Sequence, residues 1–251
     1  HCQSRGHGGT IRSLYRTMRQ QRGMASPAQR ADKGDRSNVI NIDKTKPLPT
    51  DEQVKFWNKS LMGSTRAYKY VSEERGLTDE TIRKFLVGWD GQRFTIPVYD
   101  EDGELVNVRR YNPRARSHKD KMISWGPGHG SGRIFGLEVL KDNDEIFFAE
   151  GEWDRLMLMQ HGVPAVTSTS GASVFKPEWA RYFKGKKVYC VHDEDKQGDA
   201  GAMKFTQYCK AVADGIYRIK LGTEIDGGDV TDYFTKLHRT SDEFWQLVDE
   251  A

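Results

Sequence analysis

The stretch FFAEGEWDRLML, from Phe147 to Leu158, joins a short apolar run to a helical pattern and carries three acidic residues at the junction. The apolar run predicts a buried β-strand, and the residues that follow it predict a helix. Glu150, Glu152 and Asp154 therefore lie where a strand ends and a helix begins. In a sheet of parallel strands, ligands bind at this edge.

The same alternation of strand and helix continues from residue 145 towards the end of the chain. Four apolar runs, EIFFA, PAVTST, KKVYCVH and GIYRIKL, are separated by helix-length segments. This order predicts a parallel sheet with right-handed crossovers and flanking helices. Upstream, RFTIPVYDEDGELVNVRRYN alternates around Asp102-Gly103 and predicts a β-hairpin. We therefore expect an α/β protein in which a smaller α+β subdomain precedes the parallel sheet.

Composition limits the class of protein. The 251 residues are 36% hydrophobic and 11% aromatic, which is sufficient for globular cores. Each apolar run is far shorter than the roughly 20 residues needed to cross a bilayer, so no membrane association is expected. The three cysteines, Cys2, Cys190 and Cys209, have no paired spacing, which predicts a reducing compartment without a disulfide framework. We expect a cytoplasmic protein.

Charge is divided unevenly along the chain. Residues 1–137 hold 25 Lys+Arg against 15 Asp+Glu, whereas residues 138–251 hold 14 against 21. A basic half suits a polyanion, and clustered acids are tolerated where a cation neutralises them. The asymmetry therefore indicates nucleic acid together with a divalent metal, although two solvated surfaces of opposite charge explain it equally well.

A second group of acids follows the third apolar run. Asp193 and Asp195 come directly after KKVYCVH, and residues two apart in an extended segment face one side, so Glu194 is expected to turn away. Carboxylate oxygens without His or Cys are the ligands that Mg²⁺ or Mn²⁺ prefers. The alternative is that these acids cap helix N-termini. The candidate metal ligands are Glu150, Asp154, Asp193, Asp195, Asp229 and Asp232.

Three acidic segments together resemble one known domain. EGEWD, HDEDKQG and GGDVTDYF resemble the acidic elements of the TOPRIM domain, shared by bacterial-type DNA primases, type IA and type II topoisomerases and some nucleases. Upstream, ERGLTDETIRKFLVGW, RFTIPVYDEDGELVNVRRY and GSGRIFGLEVL resemble the amino-terminal subdomain of primase catalytic cores, which the topoisomerases and nucleases lack. The resemblance covers residues 70–235, and EGEWD is closer to the primases of phages and plasmids, which are often fused to a helicase.

The resemblance implies a domain organisation. Residues 1–19 resemble the second half of a zinc ribbon or its remnant, but Arg5 occupies the place of a cysteine, and Cys2 with His7 cannot complete a four-ligand site. No zinc is therefore expected. Residues 20–50 form a proline-containing linker, residues 51–140 a basic amino-terminal subdomain, and residues 141–251 the TOPRIM domain with C-terminal helices.

The resemblance also implies a reaction, the synthesis of short RNA primers on a single-stranded DNA template. The NTPs would be joined at metal held by the catalytic residues Glu150, Asp193 and Asp195, with Asp154, Asp229 and Asp232 serving a second ion or the outer shell. The residues resembling those that bind template or triphosphate are Arg110, Lys119 or Lys121, Arg133 and Lys196. A replicative helicase is the expected partner, in cis or in trans.

Two other functions stay open at this stage. A TOPRIM nuclease would use the same acids to cut DNA with a metal-bound water, and the primase-like upstream segments argue against it. A non-catalytic remnant that binds single-stranded DNA would account for the incomplete zinc ribbon, and the intact acids argue against that. Trp153 and Trp179 are expected to be packing residues, and His192 is expected to end a strand.

Overall fold

The computed structural model describes residues 45–171 and 174–251. The predicted zinc-ribbon-like segment and residues 20–44 of the predicted linker lie outside the described residues. Within the described ranges, no helix combines the length and the apolar character needed to span a bilayer.

Short helices open the described part of the chain. Helix α1 (Asp51–Gly63) is followed by α2 (Thr65–Lys69), a π-helical turn (Tyr70–Glu74) and α3 (Asp79–Lys84). The hydroxyl of Thr78 accepts the backbone N–H of Thr81 at 3.3 Å, which satisfies an otherwise unpaired donor at the start of α3. Thr78 therefore caps this helix.

An antiparallel sheet follows these helices. Its strands β1 (Gly88–Trp89), β2 (Phe94–Tyr99), β3 (Leu105–Tyr111) and β4 (Met122–Ile123) pair in chain order. Strands β2 and β3 form the hairpin predicted around Asp102-Gly103, and Gly103 has the positive φ of 83° that this turn requires. The short helix α4 (His118–Lys121) lies in the loop before β4.

The second sheet has five strands in the order β5-β7-β6-β8-β9. Strands β6 (Glu145–Ala149), β7 (Ala165–Ser168), β8 (Lys187–Val191) and β9 (Gly215–Arg218) are parallel, as predicted. Their central members are buried on both faces, which explains why EIFFA and KVYCV read as continuous apolar runs. The antiparallel edge strand β5 (Ile134–Phe135) was not predicted from the sequence.

Helical segments connect the strands of this sheet. Helices α5 (Glu152–Gln160), α6 (Lys196–Cys209) and α7 (Ser241–Asp249) are regular, whereas Leu137–Leu140 and Pro177–Phe183 are 3₁₀-helices. After β9, residues Asp232–Lys236 form a π-helical turn.

One hydrophobic core joins the two sheets. Trp153 of α5 packs edge-on against Tyr111 of β3, with ring centroids 5.4 Å apart, and against Phe94 of β2 at 6.3 Å. Trp153 and Trp179 are each 6% exposed, which confirms both as packing residues. The antiparallel sheet is thus packed onto the helix that begins at the acidic segment.

The last residues of the predicted linker pack on a glycine-rich loop, residues 126–132, which joins β4 to β5. The backbone N–H of Lys46 donates to the carbonyl oxygen of Pro127 at 3.0 Å, and its ammonium lies 3.4 Å from the ring centroid of Trp125. The indole N–H of Trp125 donates to the carbonyl of Pro47 at 2.7 Å. These residues therefore hold one side of the loop that connects the two sheets.

Candidate active site

Glu150 and Asp193 meet at the carboxyl edge of the parallel sheet. Strands β6 and β8 are neighbours with Ala149 opposite Val191, so the residues that follow them emerge side by side. The backbone N–H of Asp193 donates to Oε2 of Glu150 at 3.0 Å. This hydrogen bond fixes the direction of the Glu150 carboxylate towards the second acidic segment.

Asp154 lies beneath this pair, on the first turn of α5. It is 8% exposed, and burial raises the pKa of its carboxyl well above 3.8. The negative charges of Asp229 and Asp193 act in the same direction, because a second carboxylate nearby disfavours ionisation. Asp154 therefore faces the same acidic cluster, although it comes from a different strand end than Asp193.

Asp193 is the acid whose ionisation falls near neutral pH. Burial raises its pKa to about 7, and the charges of Glu150, Asp229 and Asp195 add to this effect. Burial likewise raises the pKa of Glu150 and of Asp229. The metal-free cluster therefore holds protons that a bound cation would displace.

Asp195 and Asp232 also have local structural roles. Oδ1 of Asp195 accepts the backbone N–H groups of Gln197 and Gly198, both at 2.7 Å, and so caps α6. Asp195 is therefore a helix cap, which is the alternative role considered for these acids. Its negative charge still contributes to the raised pKa of Asp193. Asp232 binds the ammonium of Lys236 at 2.6 Å.

The donor set fits a hard divalent cation. All members are carboxylates, and burial together with neighbouring negative charge raises the pKa of Glu150, Asp154 and Asp193. A cation would relieve the repulsion among them. Among the residues that the structure describes, no three His, Cys, Asp or Glu side chains already form a ligand cluster. Metal coordination by these residues therefore stays a prediction.

The predicted basic residues differ in their surroundings. Lys119, Lys121, Arg133 and Lys196 are exposed. Lys121 ends α4, and Lys196 is the first residue of α6. All four are therefore accessible from solvent, and phosphate contacts by them stay a prediction.

Arg110 has a carboxylate partner within the chain. Its guanidinium lies 2.7 Å from Oδ2 of Asp90, and the two side chains are 19% and 7% exposed. The guanidinium also lies 5.5 Å from the ring centroid of Trp125. To contact a phosphate, Arg110 must therefore bind it together with Asp90 or exchange Asp90 for it.

Sequence reasoning missed Arg75, which lies beside the acidic cluster. Its Nη2 donates to the Tyr111 hydroxyl at 2.6 Å, and its guanidinium is 5.2 Å from the Trp153 ring centroid. The positive charge of Arg75 lowers the pKa of Asp154 and of Asp229, against the effect of burial. Arg75 is contained in ERGL, but that pattern does not indicate which side chains surround it.

A second missed feature is a buried ion pair between the two sheets. Nε of Arg109, on β3, lies 2.5 Å from Oε1 of Glu152, the first residue of α5. Nη1 of the same guanidinium donates to the Ser124 hydroxyl at 3.0 Å. The pair connects the acidic segment to the start of the glycine-rich loop.

Known structures share this arrangement of two sheets. The catalytic core of the E. coli primase matches with a TM-score of 0.63 and 20% identity, over 80% of this chain and 78% of that one. The primase fragment of the bacteriophage T7 primase-helicase matches with a TM-score of 0.56 and 21% identity, over 70% and 72%. The chain has the fold of a DNA primase catalytic core.

A third primase structure has the same fold, and sequence comparison adds little. The zinc-binding and RNA polymerase domains of Aquifex aeolicus primase match with a TM-score of 0.63 and 17% identity. That match covers 95% of this chain, which spans 66% of the Aquifex chain.

The sequence matches no protein-family model. An uncharacterised protein of Mycoplasma genitalium is 26% identical over 162 residues, which are 60% of this chain and 72% of the relative. The primase-core fold thus rests on the structural likeness.

Proposed function

We propose that the chain is a DNA primase catalytic core that joins NTPs into short RNA primers on single-stranded DNA. The observation that carries this proposal is the convergence of Glu150, Asp154, Asp193 and Asp229 at one sheet edge within a primase-core fold. Mutually repelling carboxylates at the carboxyl ends of parallel strands are a costly arrangement, which a divalent cation would make favourable.

The acids would hold Mg²⁺ or Mn²⁺ rather than act as nucleophiles. When bound, the metal supplies positive charge to the incoming triphosphate and lowers the pKa of the attacking 3′-hydroxyl. Glu150, Asp193 and Asp195 are the proposed catalytic residues. Asp154, Asp229 and Asp232 would serve a second ion or the outer shell.

The structure gives these carboxylates defined directions. Glu150 is oriented by the Asp193 N–H, and Asp195 is oriented by the first turn of α6. Asp193, with a pKa of about 7, holds a proton over part of the neutral range and must release it to become a ligand. Cation affinity should therefore increase as the pH rises through neutrality.

Exposed cations would bind the phosphates of template and triphosphate. Lys121 and Arg133 lie on either side of the glycine-rich loop, and Lys196 follows the second acidic segment directly. Phosphate binding by such residues supplies affinity for single strands without sequence preference. A replicative helicase is the proposed partner, in cis or in trans.

Product analysis tests the proposal. The chain is incubated with circular single-stranded DNA, Mg²⁺ and labelled NTPs, and the products are separated before and after alkaline hydrolysis. Short alkali-labile products that require the template are expected. Linearised DNA without RNA would identify a nuclease, and DNA binding without either product would identify a non-catalytic protein.

A further inference from the structure

The loop that delivers Asp229 to the acidic cluster is bonded at both ends to one residue, Glu194. At its start, the backbone N–H groups of Gly222 and Thr223 donate to the Glu194 carboxylate at 2.9 and 2.7 Å, and the Thr223 hydroxyl donates to the same group. At its end, the backbone N–H of Glu194 donates to the carbonyl of Gly228 at 3.0 Å. Residue 194 therefore closes the loop.

The interior of this loop has little freedom to rearrange. Thr223 is 3% exposed, and its hydroxyl accepts the backbone N–H of Ile225 at 3.3 Å. A Cβ added to Gly228 would lie 2.0 Å from the Thr223 hydroxyl oxygen, so the two ends of the loop are in close contact. Asp229 follows Gly228 directly, so the end of the loop sets its backbone position, and its Oδ1 accepts the backbone N–H of Asp232 at 2.7 Å.

Asp229 is the member of the cluster that comes from outside the two main acidic segments. Its negative charge acts on Asp154, Asp193 and Glu150, which places it among all three. Glu194 lies between Asp193 and Asp195 but turns away from the cluster, as predicted. Its carboxylate instead accepts hydrogen bonds from Gly222 and Thr223. Three donors converge on it, and hydrogen bonds to an ionised group are the stronger kind.

We infer that Glu194 is a positioning residue that holds Asp229 in the acidic cluster, and that it thereby sets the affinity of the cluster for a divalent cation. The inference rests on the part of the proposed function that assigns metal to these acids. It does not require that the bound metal support primer synthesis. Glu194 itself contacts neither metal nor nucleotide in this account.

Glu194→Gln is the direct test, because the amide presents one acceptor and one donor where three donors converge. At least one N–H or O–H at the start of the loop then loses its acceptor. This loosens the loop that carries Asp229, while the backbone bond from Glu194 to Gly228 is retained. Mn²⁺ binding is measured by titration calorimetry and by electron paramagnetic resonance of free Mn²⁺. Loss of an orienting partner should weaken binding about 10-fold or more.

Glu224→Gln is the matched control, since it makes the same substitution at an exposed position of the same loop. It should leave the Mn²⁺ affinity unchanged. The double variant Glu194→Gln/Asp229→Asn distinguishes positioning from general damage. If Glu194 acts through Asp229, the double variant binds Mn²⁺ as weakly as Asp229→Asn alone, with no further loss.

A milder variant covers the case in which Glu194→Gln does not fold. Thr223→Val removes one of the three donors to Glu194, together with the acceptor of the Ile225 N–H, and it should weaken Mn²⁺ binding in the same direction. Unchanged affinity in a folded Glu194→Gln, losses that multiply in the double variant, or a parent that binds no Mn²⁺ would each overturn the inference. A parent that binds Mn²⁺ in this pattern but makes no primers would leave the inference standing and reject the primase proposal.

Discussion

Replacing Arg109 by methionine should destabilise the protein far more than a surface arginine replacement does. The Arg109 and Glu152 side chains are 10% and 8% exposed, and they are joined at 2.5 Å between β3 and α5. Methionine retains most of the apolar stem but removes the guanidinium. The Glu152 carboxylate is then left buried without its cation, and the Ser124 hydroxyl loses a donor.

The magnitude follows from the burial of the pair. Removing one partner of a buried ion pair costs about 3–5 kcal/mol, and we take the lower end because both side chains keep some exposure. For a chain of this size, about 3 kcal/mol corresponds to a melting temperature lowered by roughly 6–12 °C. Replacing both partners, as in Arg109→Met/Glu152→Leu, removes the unpaired charge and should restore stability to within about 1 kcal/mol of the parent.

Urea unfolding followed by tryptophan fluorescence measures these differences. Arg83→Met is the matched control, because Arg83 pairs with Asp79 on the surface with side chains 61% and 51% exposed. Its loss should cost no more than about 0.5 kcal/mol. Equal costs for Arg109→Met and Arg83→Met, or a double variant at Arg109 and Glu152 as unstable as the sum of the single changes, would refute the reasoning.

The remaining predictions concern pH, salt and backbone geometry. The carboxyl of Asp193 has a pKa of about 7 in the folded chain against an ordinary value of 3.8. Between these values the unfolded chain loses its proton first, so the melting temperature of the metal-free protein should fall from pH 5 to pH 7.5. A rise over this interval contradicts the assignment. Lys121→Ala should reduce the slope of log affinity for single-stranded DNA against log salt by about 0.7. Lys184 lies just before the start of β8, at the opposite edge of the sheet. The control Lys184→Ala should therefore leave the slope unchanged. Equal slopes for Lys121→Ala and the parent would reject a phosphate contact at that residue. Gly136 has φ of 104°, and a Cβ there would lie 2.3 Å from a buried arginine guanidinium, whereas Gly91 has φ of 95° and open space. Gly91→Ala should cost roughly 1–2 kcal/mol from backbone strain, and Gly136→Ala should cost about 1–3 kcal/mol more from overpacking, as measured by urea unfolding. Equal costs at the two glycines would contradict the packing argument.

The parts of the fold that sequence predicted are those with strong local signals. Strands β6 and β8 are continuous apolar runs because both faces are buried, and the hairpin is fixed by a turn at Asp102-Gly103. Strand β5 escaped prediction because Ile134 and Phe135 are too few residues to show any periodicity. The pairing of β5 depends on contacts with β7, which lies more than thirty residues later in the chain.

The candidate site likewise contains contacts that the sequence predicts and contacts that it does not. The convergence of Glu150 with Asp193 could be predicted, because it follows from where parallel strands end. The partners of Arg109 and Glu194 could not, because these contacts join residues far apart in the chain that have no sequence pattern in common. The same limit explains why the ion pair between Arg110 and Asp90 was not predicted.

If the acidic cluster holds the catalytic metal, primer synthesis must depend on Asp193. Asp193→Asn keeps the size of the side chain and much of its hydrogen bonding but removes one charge from the proposed metal site. Primer synthesis and thermal unfolding are measured on the same preparations of parent and variant, with and without Mg²⁺.

We expect the metal-free variant to melt at or above the temperature of the parent, because removing one carboxylate relieves repulsion in the cluster. Primer synthesis should fall by at least about 100-fold, since loss of even an outer-shell partner of a metal site costs 10–100-fold. A variant that folds as well as the parent and makes primers at an undiminished rate would contradict the central claim that Asp193 holds the catalytic metal.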